Sequence, residues 1–236
     1  MDLSIVIPAY NEEQRILSTI KEIQEHFASQ QRSIEVLVVN DGSVDRTAEI
    51  VTEFAKDFPV LRLLSLVKNS GKGAAVRAGM LEAQGAVVLF TDADGSTPIS
   101  EFDRLERVLK SKAADLVIGS RAVQNSDTKI EAKVVRKLIG RIFNLCVNLL
   151  AVPEIKDTQC GFKLFTNASA KILFNKQKFP RFSFDLEILW RARKLGMRIE
   201  EVGINWHHVA GSKVNVFKDG LKMLRDAFIL ACSKPD

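Results

Sequence analysis

The sequence predicts an α/β domain with a mostly parallel sheet that is covered by helices on both sides. Short apolar runs alternate with segments of helical periodicity from residue 3 to about residue 120. The apolar runs are nearly continuous in Val, Ile and Leu, which is typical of strands that are buried on both faces. Repeated strand-to-helix alternation at this spacing favours βαβ connections, and these place successive strands parallel to one another.

The regular part of the chain contains five predicted strands and four predicted helices. The strands are 3–8, 34–40, 61–66, 87–91 and 116–119. The helices between them are 12–28, 45–57, 73–84 and 99–111. Asp45 or Ser43 can cap the second helix, and Pro98 suits the first turn of the fourth.

Beyond residue 121 the alternation stops, and two amphipathic segments follow. Residues 129–152 are basic at first and apolar later. This segment is either a core helix with a solvated edge or a helix that lies in a membrane interface. Residues 214–232 form a second such candidate. No internal repeat or low-complexity linker is visible, so we expect a single domain over residues 1–236.

Composition excludes several classes of protein. Apolar residues make up 46% and charged residues 27% of the 236 residues, which excludes collagen, coiled coils and disordered chains. A net charge of +5 favours an anionic partner such as nucleic acid, a membrane surface or a phosphorylated ligand. The three cysteines lack metal-ligand spacing, and no secretory leader or uninterrupted apolar span is visible. We therefore expect a cytoplasmic protein that is peripheral to the inner face of the membrane.

Polar loops follow every predicted strand. Because ligands of parallel α/β sheets bind beyond the carboxyl ends of the strands, we expect these loops to gather around one site. The loops are 8–12, 40–43, 68–73, 91–96 and 119–121, and each carries charge or glycine.

Asp92 and Asp94 flank the small Ala93 at the end of a predicted buried strand. Two carboxylates this close repel each other, and together they suit a hard divalent cation that takes oxygen ligands. Mg²⁺ or Mn²⁺ held in this way commonly also binds a diphosphate. An Asx turn at Gly95 is the plainer interpretation, but it needs only one Asp, so we expect a metal site.

The segment 71–73 can place backbone amides and the Lys72 ammonium against a phosphate. Arg77 in the same predicted helix favours this interpretation, although a bare glycine turn remains the alternative. The roles of Asp41 and Glu12 are equally open. Each is either a ligand of a base or sugar, or a structural carboxylate at a turn or helix start.

Four motifs, taken in order, resemble those of the family 2 glycosyltransferases. They are Ile-Pro-Ala-Tyr-Asn-Glu (7–12), Val-Asn-Asp-Gly-Ser-x-Asp-x-Thr (39–47), Asn-x-Gly-Lys-Gly (69–73) and Asp-Ala-Asp (92–94). Segments 157–165, 181–187 and 205–213 are similar to a narrower group, the dolichyl-phosphate glucosyltransferases. The resemblance implies a GT-A fold in which residues 1–121 bind the nucleotide sugar. Residues 122–236 would then bind the acceptor and provide helices for the membrane interface.

The resemblance also implies roles for individual residues. Those that would bind the nucleotide sugar are Pro8, Tyr10, Glu12, Asp41, Lys72, Arg77 and Asp92. Mg²⁺ or Mn²⁺ would be held by Asp92 and Asp94, with Ser96 where related mannosyl enzymes carry a further Gln ligand. Asp94, Arg121 and Asp157 would form the catalytic centre, and Arg136 would hold the acceptor phosphate.

The implied reaction is inverting and metal-dependent, moving glucose from UDP-glucose to a polyprenyl (dolichyl-type) phosphate to give a β-linked product. A phosphate acceptor is already anionic at neutral pH, so Asp157 is expected first to orient or contact the metal and only second to act as a base. Ser96 favours the glucosyl branch. The alternatives are a GDP-mannose-dependent mannosyltransferase or an enzyme with a soluble sugar acceptor. Nucleic acid is not expected, because a polyanion binder gains nothing from carboxylates at its rim.

Overall fold

The computed structural model describes residues 1–123, 130–131, 152–209 and 216–233. The strands are β1 (Leu3–Ala9), β2 (Ile34–Asn40), β3 (Leu61–Ser65), β4 (Val87–Thr91), β5 (Leu116–Ser120), β6 (Ile130–Glu131), β7 (Phe162–Thr166), β8 (Ile199–Gly203) and β9 (Trp206–His207). The helices are α1 (Ile16–Phe27), α2 (Thr47–Phe54), α3 (Lys72–Glu82), α4 (Glu101–Ser111), α5 (Asn167–Asn175), α6 (Phe184–Lys194) and α7 (Val216–Cys232). All five predicted strands and four predicted helices of the first half are present.

Within the described residues, seven strands form one mixed sheet in the order β3-β2-β1-β4-β7-β5-β8. The strands β1 to β4 pair in parallel, as do β5 and β8, whereas β7 is antiparallel to both of its neighbours. Two short strands, β6 and β9, pair separately. The predicted α/β fold with a mostly parallel sheet is confirmed.

The strand β7 comes from the half of the chain in which no strand was predicted. Lys163 interrupts its apolar pattern, yet this side chain is almost fully buried. Its ammonium donates to the Cys160 carbonyl and forms an ion pair with Asp185, which is why a lysine is tolerated there. The edge strand β3 also departs from expectation, because only one of its residues is buried.

Helices pack on both faces of the sheet. One face carries α3, α5, α6 and α7 over a core that includes Val76, Phe174, Trp190 and Ala227. The other face carries α1, α2 and α4 over a second core. The predicted amphipathic tail is confirmed as α7. The predicted helical segment 129–152 lies outside the described residues, apart from the strand β6 and the buried Val152.

The chain order of the strands creates a crevice beside β1. The chain runs outward from β1 through β2 to β3, and then returns to β4 on the other side of β1. At such a switch point the loops after β1 and β4 leave in opposite directions, and ligands bind between them.

Candidate active site

A cleft of about 290 Å³ opens at this switch point. Its wall is formed by the loops after β1, β2 and β4, the start of α3, and the segment before α6. The residues predicted for the nucleotide sugar and the metal that line it are Pro8, Tyr10, Glu12, Asp41, Lys72, Asp92 and Asp94. The fold therefore brings together side chains that four separate motifs supply.

The loop after β1 is held by hydrogen bonds to the loop after β2. Asn11 adopts a left-handed backbone conformation (φ 53°), and its amide donates to the Ser43 hydroxyl. The Glu12 amide donates to Thr47 Oγ1 at 2.8 Å. The Glu12 carboxylate accepts two hydrogen bonds from the Arg15 guanidinium, each 2.7 Å long. Glu12 is therefore a carboxylate of the cleft wall that is already ion-paired with Arg15.

Asp41 connects the end of β2 to the start of α3. Its two carboxylate oxygens accept the Ser70 amide at 2.7 Å and the Gly71 amide at 2.9 Å. Gly71 has a φ of +106°, which disfavours any residue with a side chain. The structural role left open for Asp41 is thus observed, although its buried carboxylate also lines the cleft.

Lys72 begins α3 and reaches across the cleft to β4. Its Nζ lies 2.6 Å from Asp92 Oδ1 and 5.3 Å from the centre of the Phe90 ring. Burial alone would lower the pKa of Lys72, but the carboxylates of Asp92, Asp185 and Asp94 together hold that pKa above its ordinary value. Lys72 is therefore a permanent cation beside Asp92.

Arg77 does not line the cleft, which corrects the expectation that it lies near the nucleotide. It is five positions after Lys72 in α3, and this spacing turns it to another side of the helix. Its guanidinium donates to the carbonyls of Phe174 and Asn175. Arg77 thus joins α3 to the end of α5.

Asp92 and Asp94 follow β4 and both face the cleft. Asp94 Oδ1 accepts the Ser96 amide at 3.0 Å, and Gly95 has a φ of +67°, so this acid also forms the Asx turn of the plainer interpretation. Ser96 itself is buried, and its carbonyl accepts the His207 amide. Ser96 does not line the cleft, so the cleft geometry does not favour the prediction that it is a metal ligand.

The acid pair has donors suited to a hard divalent cation. Among the described residues, no group of three or more His, Cys, Asp or Glu side chains could hold a metal. Asp92 and Asp94 alone leave most of an octahedral coordination shell to other ligands, as is usual for Mg²⁺ bound with a phosphate substrate. Asp92 and Asp94 would therefore suit Mg²⁺ or Mn²⁺, and a diphosphate would supply further oxygen ligands.

Arg121 and Asp157 form a bidentate ion pair after β5. Arg121 Nε and Nη2 each lie 2.8 Å from a different oxygen of Asp157, and the Arg121 amide donates to the same carboxylate at 2.9 Å. The segment that carries Asp157 is held by Glu201 of β8, which accepts the Lys156 and Asp157 amides. The Arg121 guanidinium also lies 5.6 Å from the centre of the Trp206 ring.

The charge states of this pair follow from its contacts. Burial alone would raise the pKa of Asp157, but the Arg121 charge and its hydrogen bonds outweigh burial and hold that pKa below its ordinary value. Burial alone would lower the pKa of Arg121, but the charge and hydrogen bonds of Asp157 outweigh burial and raise that pKa above its ordinary value. Asp157 is therefore a weak base that orients Arg121. The expected acceptor ligand Arg136 lies outside the described residues.

Three cleft features were not assigned from the sequence. Arg15 and Arg181 line the wall, and Gly161 lies against Asp92. Arg181 stands at the start of one of the resembling segments, 181–187, which was the available signal. Arg15 carried no such signal, because a helix-start arginine is ordinary on a solvated face.

The sequence model described as "Glycosyl transferase family 2" matches residues 4–179. The chain belongs to this family. This glycosyltransferase is 40% identical to the dolichyl-phosphate beta-glucosyltransferase of Drosophila melanogaster, over 98% of the chain and 74% of that protein. It is 34% identical to the human protein of the same name, over 97% of the chain and 74% of that protein.

Solved structures show the same GT-A fold. Glucosyl-3-phosphoglycerate synthase from Mycobacterium tuberculosis, crystallised with Mn²⁺, UDP and glucosyl-3-phosphoglycerate, superposes with a TM-score of 0.73. That match covers 100% of this chain and 81% of the other at 19% identity. TarS 1–349 of S. aureus superposes with a TM-score of 0.60 at 20% identity, over 100% of this chain and 67% of the other.

Within its described residues, the glycosyltransferase has no helix with the length and apolar character needed to cross a bilayer.

Proposed function

We propose that this glycosyltransferase transfers glucose from UDP-glucose to a polyprenyl phosphate, with inversion and with the help of Mg²⁺ or Mn²⁺. The observation that carries the proposal is the convergence of Asp92, Asp94 and Lys72 on one cleft at the switch point of the sheet. This arrangement suits a diphosphate with a divalent cation. The glucosyl and lipid specificity is supported by relatives named dolichyl-phosphate beta-glucosyltransferase that match almost the whole chain.

In the proposed reaction, an oxygen of the acceptor phosphate forms a bond to C1 of glucose as the bond from C1 to the UDP oxygen breaks. UDP leaves with the electron pair, so negative charge grows on its β-phosphate. A divalent cation, when bound, neutralises charge on such a leaving group. Lys72 places an ammonium beside Asp92 in the cleft, where it would add positive charge near the diphosphate. Arg121 is ion-paired with Asp157 and does not line the cleft.

The state of Asp157 agrees with an anionic nucleophile. A phosphate monoester has its second pKa near ~6, so it needs no strong base at neutral pH. Asp157 has a lowered pKa and both of its oxygens are bonded to Arg121. A hydroxyl acceptor would require a carboxylate that is free to take a proton. In-line attack of the phosphate on C1 gives the β-linked product from an α-linked donor.

The outward face of α7 supports a membrane-surface location, which we place on the cytoplasmic side. Leu221 and Phe228 are 69% and 62% exposed on this helix. Lys222 and Arg225 are exposed beside them. Apolar side chains flanked by basic ones are the pattern of a helix that lies in the headgroup region of an anionic membrane.

A donor and acceptor screen tests the proposal. Purified protein is incubated with Mn²⁺ or Mg²⁺, a short polyprenyl phosphate, and either UDP-glucose or GDP-mannose, and lipid-linked product is scored separately from donor hydrolysis. We expect glucosyl-lipid only with UDP-glucose and only with a divalent cation. Mannosyl-lipid from GDP-mannose, or transfer to a soluble sugar in place of the lipid, would overturn the proposal.

A further inference from the structure

Most of the positive charge on the cleft wall is already ion-paired. It contains four carboxylates and three cationic side chains: Glu12, Asp41, Asp92, Asp94, Arg15, Lys72 and Arg181. Two of the cations are ion-paired within the wall, since Arg15 binds Glu12 and Lys72 binds Asp92. Two of the three wall cations therefore already share their hydrogen-bond donors with a carboxylate before a nucleoside diphosphate binds.

Arg181 differs from the other two cations of the wall. Its side chain is exposed, and no carboxylate in the described part of the chain lies within ion-pair distance of it. A guanidinium presents a planar fork of donors that matches two phosphate oxygens at once. We propose that Arg181 binds a phosphate of the nucleoside diphosphate in the cleft, an inference that rests on the proposed function.

The backbone that carries Arg181 is held firmly beside the cleft. The Pro180 carbonyl accepts the Ala74 amide at 2.9 Å. A Cβ atom at Gly71 would lie 2.4 Å from the same carbonyl oxygen, so only glycine lets the two segments approach this closely. The buried Glu187 carboxylate accepts the amides of Lys178 and Phe179.

A second buried side chain completes this attachment. Gln177 Nε2 donates to the Gly73 carbonyl at 2.9 Å and to the Phe179 carbonyl at 2.8 Å. These hydrogen bonds join the segment before α6 to the first turn of α3, which begins at Lys72. Because this backbone is already fixed, it loses little conformational entropy when the guanidinium binds a ligand. This favours a functional contact over a merely solvated arginine.

The proposal is tested by calorimetric titration of UDP, UMP and uridine into the wild type, Arg181→Ala and Arg181→Lys in the presence of Mn²⁺. Lys176→Ala is the matched control, since this exposed lysine lies five residues earlier and does not line the cleft. We expect Arg181→Ala to weaken UDP binding by about 10- to 100-fold and to leave uridine binding unchanged. Arg181→Lys should retain part of the affinity, and Lys176→Ala all of it.

Unchanged UDP affinity in Arg181→Ala would overturn the proposal, and so would an equal loss for uridine, which would mean a distorted loop. If UDP binding is unchanged while the KM for polyprenyl phosphate rises, the arginine serves the acceptor instead, which also overturns it. Failure of the proposed function gives a different result. If the wild type binds GDP in place of UDP, the proposed donor is wrong, and the role of Arg181 is then tested by the same comparison with GDP, GMP and guanosine.

Discussion

Gly161 lies directly against the carboxylate of Asp92. A Cβ atom at Gly161 would stand 2.0 Å from Asp92 Oδ2 and 2.3 Å from Asp92 Cγ, and the Asp92 amide donates to the Gly161 carbonyl at 3.1 Å. Antiparallel pairing of β4 with β7 creates this contact, because the end of one strand meets the start of the other. A side chain at residue 161 would therefore push the Asp92 carboxylate out of its present position.

Gly161→Ala is expected to displace Asp92 and to reduce glucosyl transfer by at least about tenfold, with a stability loss of about 1–3 kcal/mol from overpacking. Transfer assays and thermal unfolding measure the two effects. Gly196→Ala is the control: it has a φ of +69° and nothing within 4 Å of its added Cβ, so it strains the backbone far from the cleft. Equal losses of activity in the two variants would contradict the steric explanation.

Asp94→Ala is expected to remove metal-dependent transfer by orders of magnitude while the fold is retained. Asp94 offers a cleft carboxylate, and without it Asp92 remains paired with Lys72. Ser96→Ala should leave Mn²⁺ affinity unchanged, because Ser96 does not line the cleft. Manganese titration and circular dichroism check both variants. Undiminished transfer by Asp94→Ala, or loss of Mn²⁺ binding by Ser96→Ala, would show that the ligands are assigned wrongly.

Asp157→Asn is expected to destabilise the protein at pH 7 by about 3 kcal/mol, the lower end for a broken buried pair, because Arg121 is 33% exposed. The pKa of Asp157 is lower in the folded protein than in the unfolded chain, where it is about 4. The ionised carboxylate therefore stabilises the fold fully above the unfolded pKa, and this stabilisation is lost as the pH falls through the folded pKa. The difference between wild type and variant should therefore shrink below about pH 4.

Thermal unfolding from pH 7 to pH 3 measures this difference. Asp57→Asn, at an exposed carboxylate, is the control and should unfold like the wild type over the whole range. A deficit of Asp157→Asn that stays constant with pH would mean that packing, and not charge, accounts for the effect.

Phe228→Ser is expected to weaken binding to anionic liposomes several-fold, because it removes a large exposed apolar side chain from α7. Co-sedimentation with vesicles that contain anionic lipid measures the effect. Ile172→Ser removes a comparably exposed apolar side chain from α5 and should bind like the wild type. Equal binding by all three proteins would exclude α7 as the membrane contact.

The local pattern of the chain predicted the first half well. Continuous apolar runs specify buried strands, and the polar loops after them share one edge, so Asp92, Asp94 and Asp41 could be placed together without a structure. The strand β7 escaped prediction because Lys163 breaks its apolar pattern, and only Asp185 and the Cys160 carbonyl make that burial tolerable. Arg77 was misplaced because helical phase, and not closeness in sequence to Lys72, decides which side chains share a face.

The sequence by itself determined the alternation of strands and helices, and with it the edge of the sheet at which the chemistry occurs, since both depend on neighbours along the chain. The tertiary structure decided which groups meet there. The insertion of β7 between β4 and β5 brings Gly161 against Asp92, and the packing of the segment before α6 on α3 brings Arg181 to the cleft. Contacts between residues so far apart in the chain depend on how whole elements pack, and the local pattern does not encode that packing.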